Sequence, residues 1–412
     1  MHLIKTCLMN LSLIAVAGAA SAADDATLRT FHGQPSFVLA TKQVELAVTQ
    51  FGGHMAPVTF FRSDAQPVKP YHISPWQEEP PSKMPAPVLV MLRGDFFCLP
   101  FGGNSEAVRG EKHPPHGEIV AEPWHFVGTR KKGDVTTLML DIETKVRQGH
   151  VRKELSLVEG QNVVYSRHTI EGFTGRVPLG HHATLAMPAK DGGVRIATSA
   201  IRFGMTCPGQ FSDPKQGEYQ ALLPGAKWTD LTQVPCAWKG APDADLTRLP
   251  GRYGFADLIQ IANEPWEKTG GPAWTTATFA EGGYVWFALK DPAVLRSTVF
   301  WMENHGRHGH PWNGRNNCLG IEDVTAHFAD GLAASAGENV LTKDGVATGA
   351  ELSADKPTSV NYIQGVVKIP DGFENVRTLT FAPGQVTFIS TTGKRVTAAV
   401  RHEFLKSGML QP

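Results

Sequence analysis

The chain lacks a surplus of either charge: among 412 residues, 39 Lys and Arg face 39 Asp and Glu, and charged side chains make up only 19%. Without a basic excess there is no broad phosphate-neutralising surface, which argues against nucleic-acid binding by bulk charge. Cysteine is scarce, with five in the chain and no C-x-x-C spacing, so no zinc signature is present. Beyond the N-terminus no apolar run is long enough to span a membrane. No internal repeat is visible, and no helical periodicity lasts longer than three turns. Disorder is also disfavoured, because 42% of the residues are apolar, enough to bury a sizeable core. In excess are 42 glycines and 29 prolines, together about 17% of the chain against a usual ~12%. These residues multiply turns and favour short strands over long helices, so an all-β protein is expected.

The first residues, MHLIKTCLMNLSLIAVAGAASAADD, read as a secretory signal: Lys5, an apolar run over 8–16, then Ala20-Ser21-Ala22 as an A-x-A cleavage site. The run is shorter than the ~20 residues of a spanning helix. Segment 1–23 is therefore expected to be removed after Ala22 or Ala23, leaving a periplasmic or secreted protein with no membrane contact. Its loss takes Lys5 and Cys7 and leaves 38 basic against 39 acidic residues, with Cys98, Cys207, Cys236 and Cys318. Cys207 and Cys236 bracket a Pro- and Trp-rich stretch and are the expected pair if a disulfide forms in such a compartment. Cys98, inside an apolar run, reads as a buried free thiol.

Segments VELAVTQF (44–51), VTTLMLDIETKV (135–146), VVYSRHTI (163–170) and YVWFAL (284–289) mix alternation with β-branched and aromatic residues and predict strands. Turn clusters EGQN (159–162), KDGG (190–193) and EGG (281–283) separate them. From 365 onward, VKIP, RTLTFAPGQVTFIS and RVTAAV predict closing strands. The pattern is that of a large antiparallel sandwich. Two stretches, 66–87 with Trp76 and 207–272, read as long loops, of the kind that usually carry function or mark insertions. No Ser- or Gly-rich linker divides the chain, so 24–412 is read as one domain.

Of the sixteen histidines, eight fall with Gly, Pro and Trp in three places: RGDFFCLPFGGN (93–104) followed by HPPHGEIVAEPW (113–124), GHHATLAMP (180–188), and WMENHGRHGHPWNGRNNCLGIEDVTAHF (301–328). The first cluster resembles the galactose mutarotase-like superfamily, the aldose 1-epimerases and hexose-6-phosphate mutarotases. Arg93, Gly94, Cys98, Pro100 and Gly102 match its Arg-Gly-rich strand, and His116, Gly117, Pro123 and Trp124 match the segment that follows. GHHATLAMP is similar to the family's central His segment, with His182 the better-aligned ring and His181 the alternate. LGIED (319–323) is similar to the segment that presents the family's catalytic Glu, here Glu322. The resemblance implies a supersandwich of β-sheets with long loop insertions. It also implies interconversion of the α and β anomers of an aldose, with no metal or organic cofactor and a mono- or oligosaccharide as partner.

Chemistry asks for the same residue types. Opening a hemiacetal removes a proton from the anomeric hydroxyl and delivers one to the ring oxygen, work for a carboxylate and an imidazole. On this reading Glu322 is the base, His182 the acid, and His116 a hydrogen-bond partner near the ring oxygen or the developing aldehyde. Arg93, Asn104, His181 and Arg307 are candidate sugar contacts, and Trp124 or Trp312 a stacking wall. Val120 stands where the sugar-phosphate branch has an Arg, so an unphosphorylated sugar is expected, and Ala183 and Thr184 replace the aromatic that follows the central His. A carbohydrate-binding protein without catalysis on the same fold is the alternative. Lyase or hydrolase chemistry finds no paired carboxylates at a readable spacing. His305, His308 and His310, near Glu303 and Asn304, are an alternative zinc or copper site but match no standard zinc spacing, and a loop covering the sugar pocket is the reading adopted for this stretch. N-terminal sequencing of the protein recovered from its producing cells is expected to begin at Ala23 or Asp24; a start at Met1 would remove the export signal from this reading.

Overall fold

The computed structural model describes residues 28–410, so the signal segment 1–23 and Cys7 lie outside the described residues. Two large sheets carry the architecture. One runs in the order Lys227–Trp228, Ile201–Thr206, Phe255–Asn263, Ser297–Asn304, Asn317–Thr325, Leu179–His181 and Phe97–Cys98, with Ala183–Ala186 also paired to Asn317–Thr325. The other is a nine-stranded sheet running from Arg248–Leu249 through Val194–Thr198, Ala273–Phe279, Tyr284–Lys290, Thr358–Lys368, Val163–Glu171, Gly149–Val158 and Val135–Thr144 to His125–Lys132. Neighbouring strands in both run antiparallel, and the described α-helices are four or five residues long. All-β composition and the sandwich are thus as the turn-rich sequence implies. None of the described helices is long and apolar enough to cross a membrane.

The apolar run YVWFAL is explained by burial on both faces. Trp286 and Ala288 of strand Tyr284–Lys290 join a core shared by the two large sheets. Val285, Phe287 and Leu289 face the other way, into a second core closed by Val376, Leu379, Val386 and Phe388 of a C-terminal three-stranded meander. A strand covered on both sides reads as continuously apolar rather than alternating. An N-terminal four-stranded sheet adds Phe37, Leu46, Val48 and Val58 to the first core.

Two expectations are corrected. The stretch 207–272 is not all loop: Phe255–Asn263 inside it is an internal strand of the first sheet, between Ile201–Thr206 and Ser297–Asn304. Its polar residues disguise it, because they serve as buried acceptors and donors. Asp257 accepts from the Ala221 and Leu222 amides, and Gln260 bonds Ala326 O and Phe328 N. Cys207 and Cys236 form no disulfide; both are free thiols, as are Cys98 and Cys318, with Cys98 fully buried.

Between the sheets lies a polar interior. Asp323 Oδ1 accepts from Lys290 Nζ at 2.5 Å and Thr298 Oγ1 at 2.7 Å, and its Oδ2 accepts from Tyr362 at 2.7 Å. Lys290 and Asp323 are 1% and 2% exposed, so neither charge has water as a fallback. Asp323→Ala is expected to lower unfolding stability by about 3–5 kcal/mol, because it strands a buried ammonium. Urea unfolding measures this, and a change below about 1 kcal/mol would show that the pair is not holding the sheets together.

Candidate functional site

The strand Asn317–Thr325 pairs on one side with the run 179–186, and one register governs the whole contact: Gly180 meets Val324, and Ala183 meets Ile321. His182 is therefore set directly opposite Glu322 on one face of the sheet. The rings and carboxylate meet as that register requires, with His182 Nε2 3.3 Å from Glu322 Oε1. His182 Nδ1 lies 3.2 Å from Thr184 Oγ1, two residues on and on the same face. Phe96 stacks on the His182 ring at 4.5 Å, and His54 stacks on Phe96 at 4.0 Å, so the imidazole is fixed by flat contacts.

Gly320 makes room for the carboxylate. A Cβ there would lie 2.6 Å from Glu322 Oε1 and 3.1 Å from Trp301 Cβ, closer than side-chain carbons approach. His116 comes from the turn after Leu99–Pro100 and has left-handed backbone, φ +62°. Its neighbour Gly117, φ +87°, passes so near Leu99 O that a Cβ would sit 1.9 Å from it, which explains the His-Gly pair. The His116 ring meets His182 edge-on at 5.1 Å and Phe101 at 5.1 Å.

These groups line one cavity of about 170 Å³, with Val88, Leu89, Leu92, Phe211, Leu258, Trp301, Arg307 and Trp312 as its other principal walls. Burial raises the Glu322 carboxyl to about 8 and lowers His116 to about 4. It also holds His182 well below the usual imidazole range, with His116 and His54 adding a smaller push in the same direction. Burial thus favours the uncharged form of both the acid and the imidazole. A larger apolar cavity of about 370 Å³ lies elsewhere, lined by Trp238, Leu246, Leu249 and Phe255, and contains none of His116, His182 or Glu322. Its two buried acids are occupied with backbone amides, Asp257 with those of Ala221 and Leu222 and Glu303 with those of Gly306 and Arg307.

No family model and no curated protein matches the sequence. Solved structures do match the shape. One, a galactose mutarotase-like protein from Clostridium acetobutylicum, superposes with a TM-score of 0.54 at 10% identity over 83% of this chain and 98% of that one. A galactose mutarotase related enzyme from Lactobacillus acidophilus gives 0.51 at 10% identity over 82% and 98%. A protein from Klebsiella pneumoniae, provisionally named an aldose 1-epimerase, gives 0.57 at 11% identity over 82% and 80%. The chain has the galactose mutarotase-like fold. At these identities the likeness establishes the fold, and the chemistry rests on the residues themselves.

Within the galactose mutarotase-like fold of this chain, His116, His182, Glu322, Arg307 and Trp312 come together in one pocket. Four other expected sugar contacts are placed elsewhere. Arg93, 1% exposed, donates to Gln77 Oε1, Phe31 O and His32 O, tying the N-terminal strands to the sheet. Asn104 staples its loop, donating to Pro100, Gly102 and Pro114 carbonyls and accepting from Leu332 N. Trp124 is buried, donates to Ile119 O and lies under Lys153. His181, one residue from His182, points through the opposite face, where its Nδ1 lies 2.9 Å from Asp95 Oδ2. Val120, offered as the sign of an unphosphorylated substrate, is also fully buried and lines no part of this pocket.

His305 and His310 bond separate backbone carbonyls, Gly314 O and Lys83 O. Among the described residues no group of three or more His, Cys, Asp or Glu side chains is arranged to hold a metal ion. Sequence reasoning missed Trp301, Leu258, Phe211 and Gly320. Alternation along Ser297–Asn304 groups Val299, Trp301 and Glu303 on one face, but only the pairing of Val299 with Glu322 and of Trp301 with Gly320 reveals that this face is the one carrying Glu322. Gly320→Ala is expected to cost about 1–3 kcal/mol in urea unfolding and to shift the His182 imidazole resonances, as the carboxylate is pushed off its partner. Unchanged resonances would mean that Glu322 does not lean over Gly320.

Proposed function

We propose that this chain is a carbohydrate isomerase that interconverts the α and β anomers of an unphosphorylated aldose. The observation that carries the reading is the His182–Glu322 pair, 3.3 Å apart on the floor of a cavity walled by Trp301 and Trp312. The anomeric hydroxyl and the ring oxygen are bonded to the same carbon, so a donor and an acceptor side by side serve both at once.

The protonation favoured by burial assigns the first step. The Glu322 carboxyl delivers its proton to the ring oxygen while His182 Nε2 takes the proton of the anomeric hydroxyl. The bond from the anomeric carbon to the ring oxygen breaks, and the former hydroxyl oxygen becomes the aldehyde carbonyl. Rotation about the adjacent carbon–carbon bond presents the other carbonyl face, and closure runs the two proton transfers backwards. These starting roles reverse the sequence expectation, in which Glu322 is the base and His182 the acid, although microscopic reversibility gives each group both tasks over a full cycle. His116, kept neutral by burial, is the hydrogen-bond donor to the developing carbonyl. The indole walls suit the C–H face of a sugar. The N-terminal signal supports action outside the cytoplasm.

Glu322→Gln is expected to lower the rate of anomer exchange by about 10²–10⁴-fold with the fold retained, measured by polarimetry or saturation-transfer NMR on glucose, galactose, xylose and arabinose. In the unsubstituted protein kcat/KM should stay level through neutrality and fall about tenfold per pH unit above about 8, as the carboxyl loses its proton. A rate that rises through that pH would restore Glu322 as an ionised base. Sugar binding with no acceleration for any sugar would favour the carbohydrate-binding alternative.

A further inference from the structure

The loop over the pocket is held in an unusual way. Glu303, 1% exposed, uses Oε1 to accept from Gly306 N at 2.9 Å and Arg307 N at 3.0 Å. Glu218, also buried, accepts from His308 N at 2.8 Å and Gly309 N at 3.3 Å. Four consecutive backbone amides are thus clamped by two carboxylates. A loop that only covered the pocket would not need its backbone placed so firmly, at the cost of burying two acids.

The side chain that this clamp places is Arg307. Its guanidinium carbon lies 4.6 Å from the centre of the Phe211 ring and 5.5 Å from that of Trp312, and all three residues line the cavity with His182 and Glu322. Arg307 Nε is buried and has no hydrogen-bond partner among the described residues. The nearest carboxylate oxygen, Glu303 Oε2, is 3.8 Å away, beyond hydrogen-bond reach, and is itself without a partner. Arg307 is also the sole cationic side chain among the cavity's lining residues, histidines aside.

We propose that the sugar bound here carries a carboxylate, as in a uronic acid, and that the Arg307 guanidinium reads it. This rests on the pocket being the sugar site argued above. A guanidinium fork matches a carboxylate in shape and charge, one cation to one anion, and two rings beside it limit its rotation. A phosphate dianion would need further cationic donors, and apart from His116, His182 and Glu322 the other lining residues are apolar or aromatic. Burial pushes the Glu322 carboxyl up to about 8 and Glu303, whose Oε2 lies 3.8 Å from Arg307 Nε, up to about 7, which weakens the opposition of both to an acidic substrate. Glu303 is then a positioning residue that acts through the Arg307 backbone.

The test is calorimetric titration of the mature protein with glucuronic and galacturonic acids, with glucose and galactose, and with glucose 6-phosphate, repeated for Arg307→Lys and Arg307→Met. Uronic acids are expected to bind about 10–100-fold tighter than the neutral hexoses, the range for a hydrogen-bonded charge pair. The advantage should shrink in Arg307→Lys, which keeps the charge and loses the fork, and vanish in Arg307→Met. Equal affinity for neutral and acidic sugars, a preference that survives in Arg307→Met, or tighter binding of glucose 6-phosphate would each overturn the proposal while leaving the pocket a sugar site. Binding of none of these sugars would instead overturn the sugar-site reading, and this proposal with it.

Discussion

The register between residues 179–186 and the strand Asn317–Thr325 governs both sides of the first sheet. Because side chains alternate, it sends His182 and Glu322 to the pocket face, and His181 and Asp323 into the sandwich. Both faces are costly to build, since each carries buried ionisable groups, and a slip of one residue would exchange the two sets. The inner set makes that slip expensive. His181 is bonded to Asp95 and stacked on Tyr362 at 4.2 Å, and Asp323 is bonded to Lys290, Thr298 and Tyr362. The polar contacts between the sheets thus secure the register that aligns the pair in the pocket.

The nine-stranded sheet gives this arrangement its rigidity. It is covered on one face by the first sheet and, over part of the other, by the C-terminal meander, so strands such as Tyr284–Lys290 and Thr358–Lys368 are buried on both sides. Lys290, Tyr362 and Gln364 reach out of these strands to Asp323 of the opposite sheet and to Asp95, just ahead of its strand Phe97–Cys98. A buried acid and imidazole held in contact need such a backing, because they would otherwise relax toward water.

Above the pocket the physical problem is different. The roof comes from irregular chain, which has no ladder of its own to satisfy its amides, and the structure meets this with side-chain carboxylates. Glu303 belongs to the strand that supplies Trp301, so the floor and the roof of the cavity share one support. Trp312 is wedged edge-on between Trp76 at 4.7 Å and Trp301 at 5.5 Å. Trp76 explains what the proline-dense stretch 66–87 does there: it buttresses the roof from outside.

Much of the architecture was legible in the sequence because turn residues and β-branched alternation are local signals. Strands at Val135–Thr144, Val163–Glu171 and Tyr284–Lys290 could be read directly. Phe255–Asn263 could not, because its Asp257 and Gln260 are polar residues whose partners lie on distant segments. The same contrast runs through the site. His116, His182 and Glu322 were legible as residue types in order, and Arg307 and Trp312 as a loop rich in donors and rings. Arg93, Asn104, Trp124 and His181 belong to the same motifs, yet they serve packing and internal hydrogen bonds. By itself the sequence determined an all-β sandwich and the stock of acids, imidazoles and rings available for chemistry. Only the tertiary structure decided which of them share a cavity, because strand register and burial depend on partners far away in the chain, and these set both the facing of each side chain and its protonation.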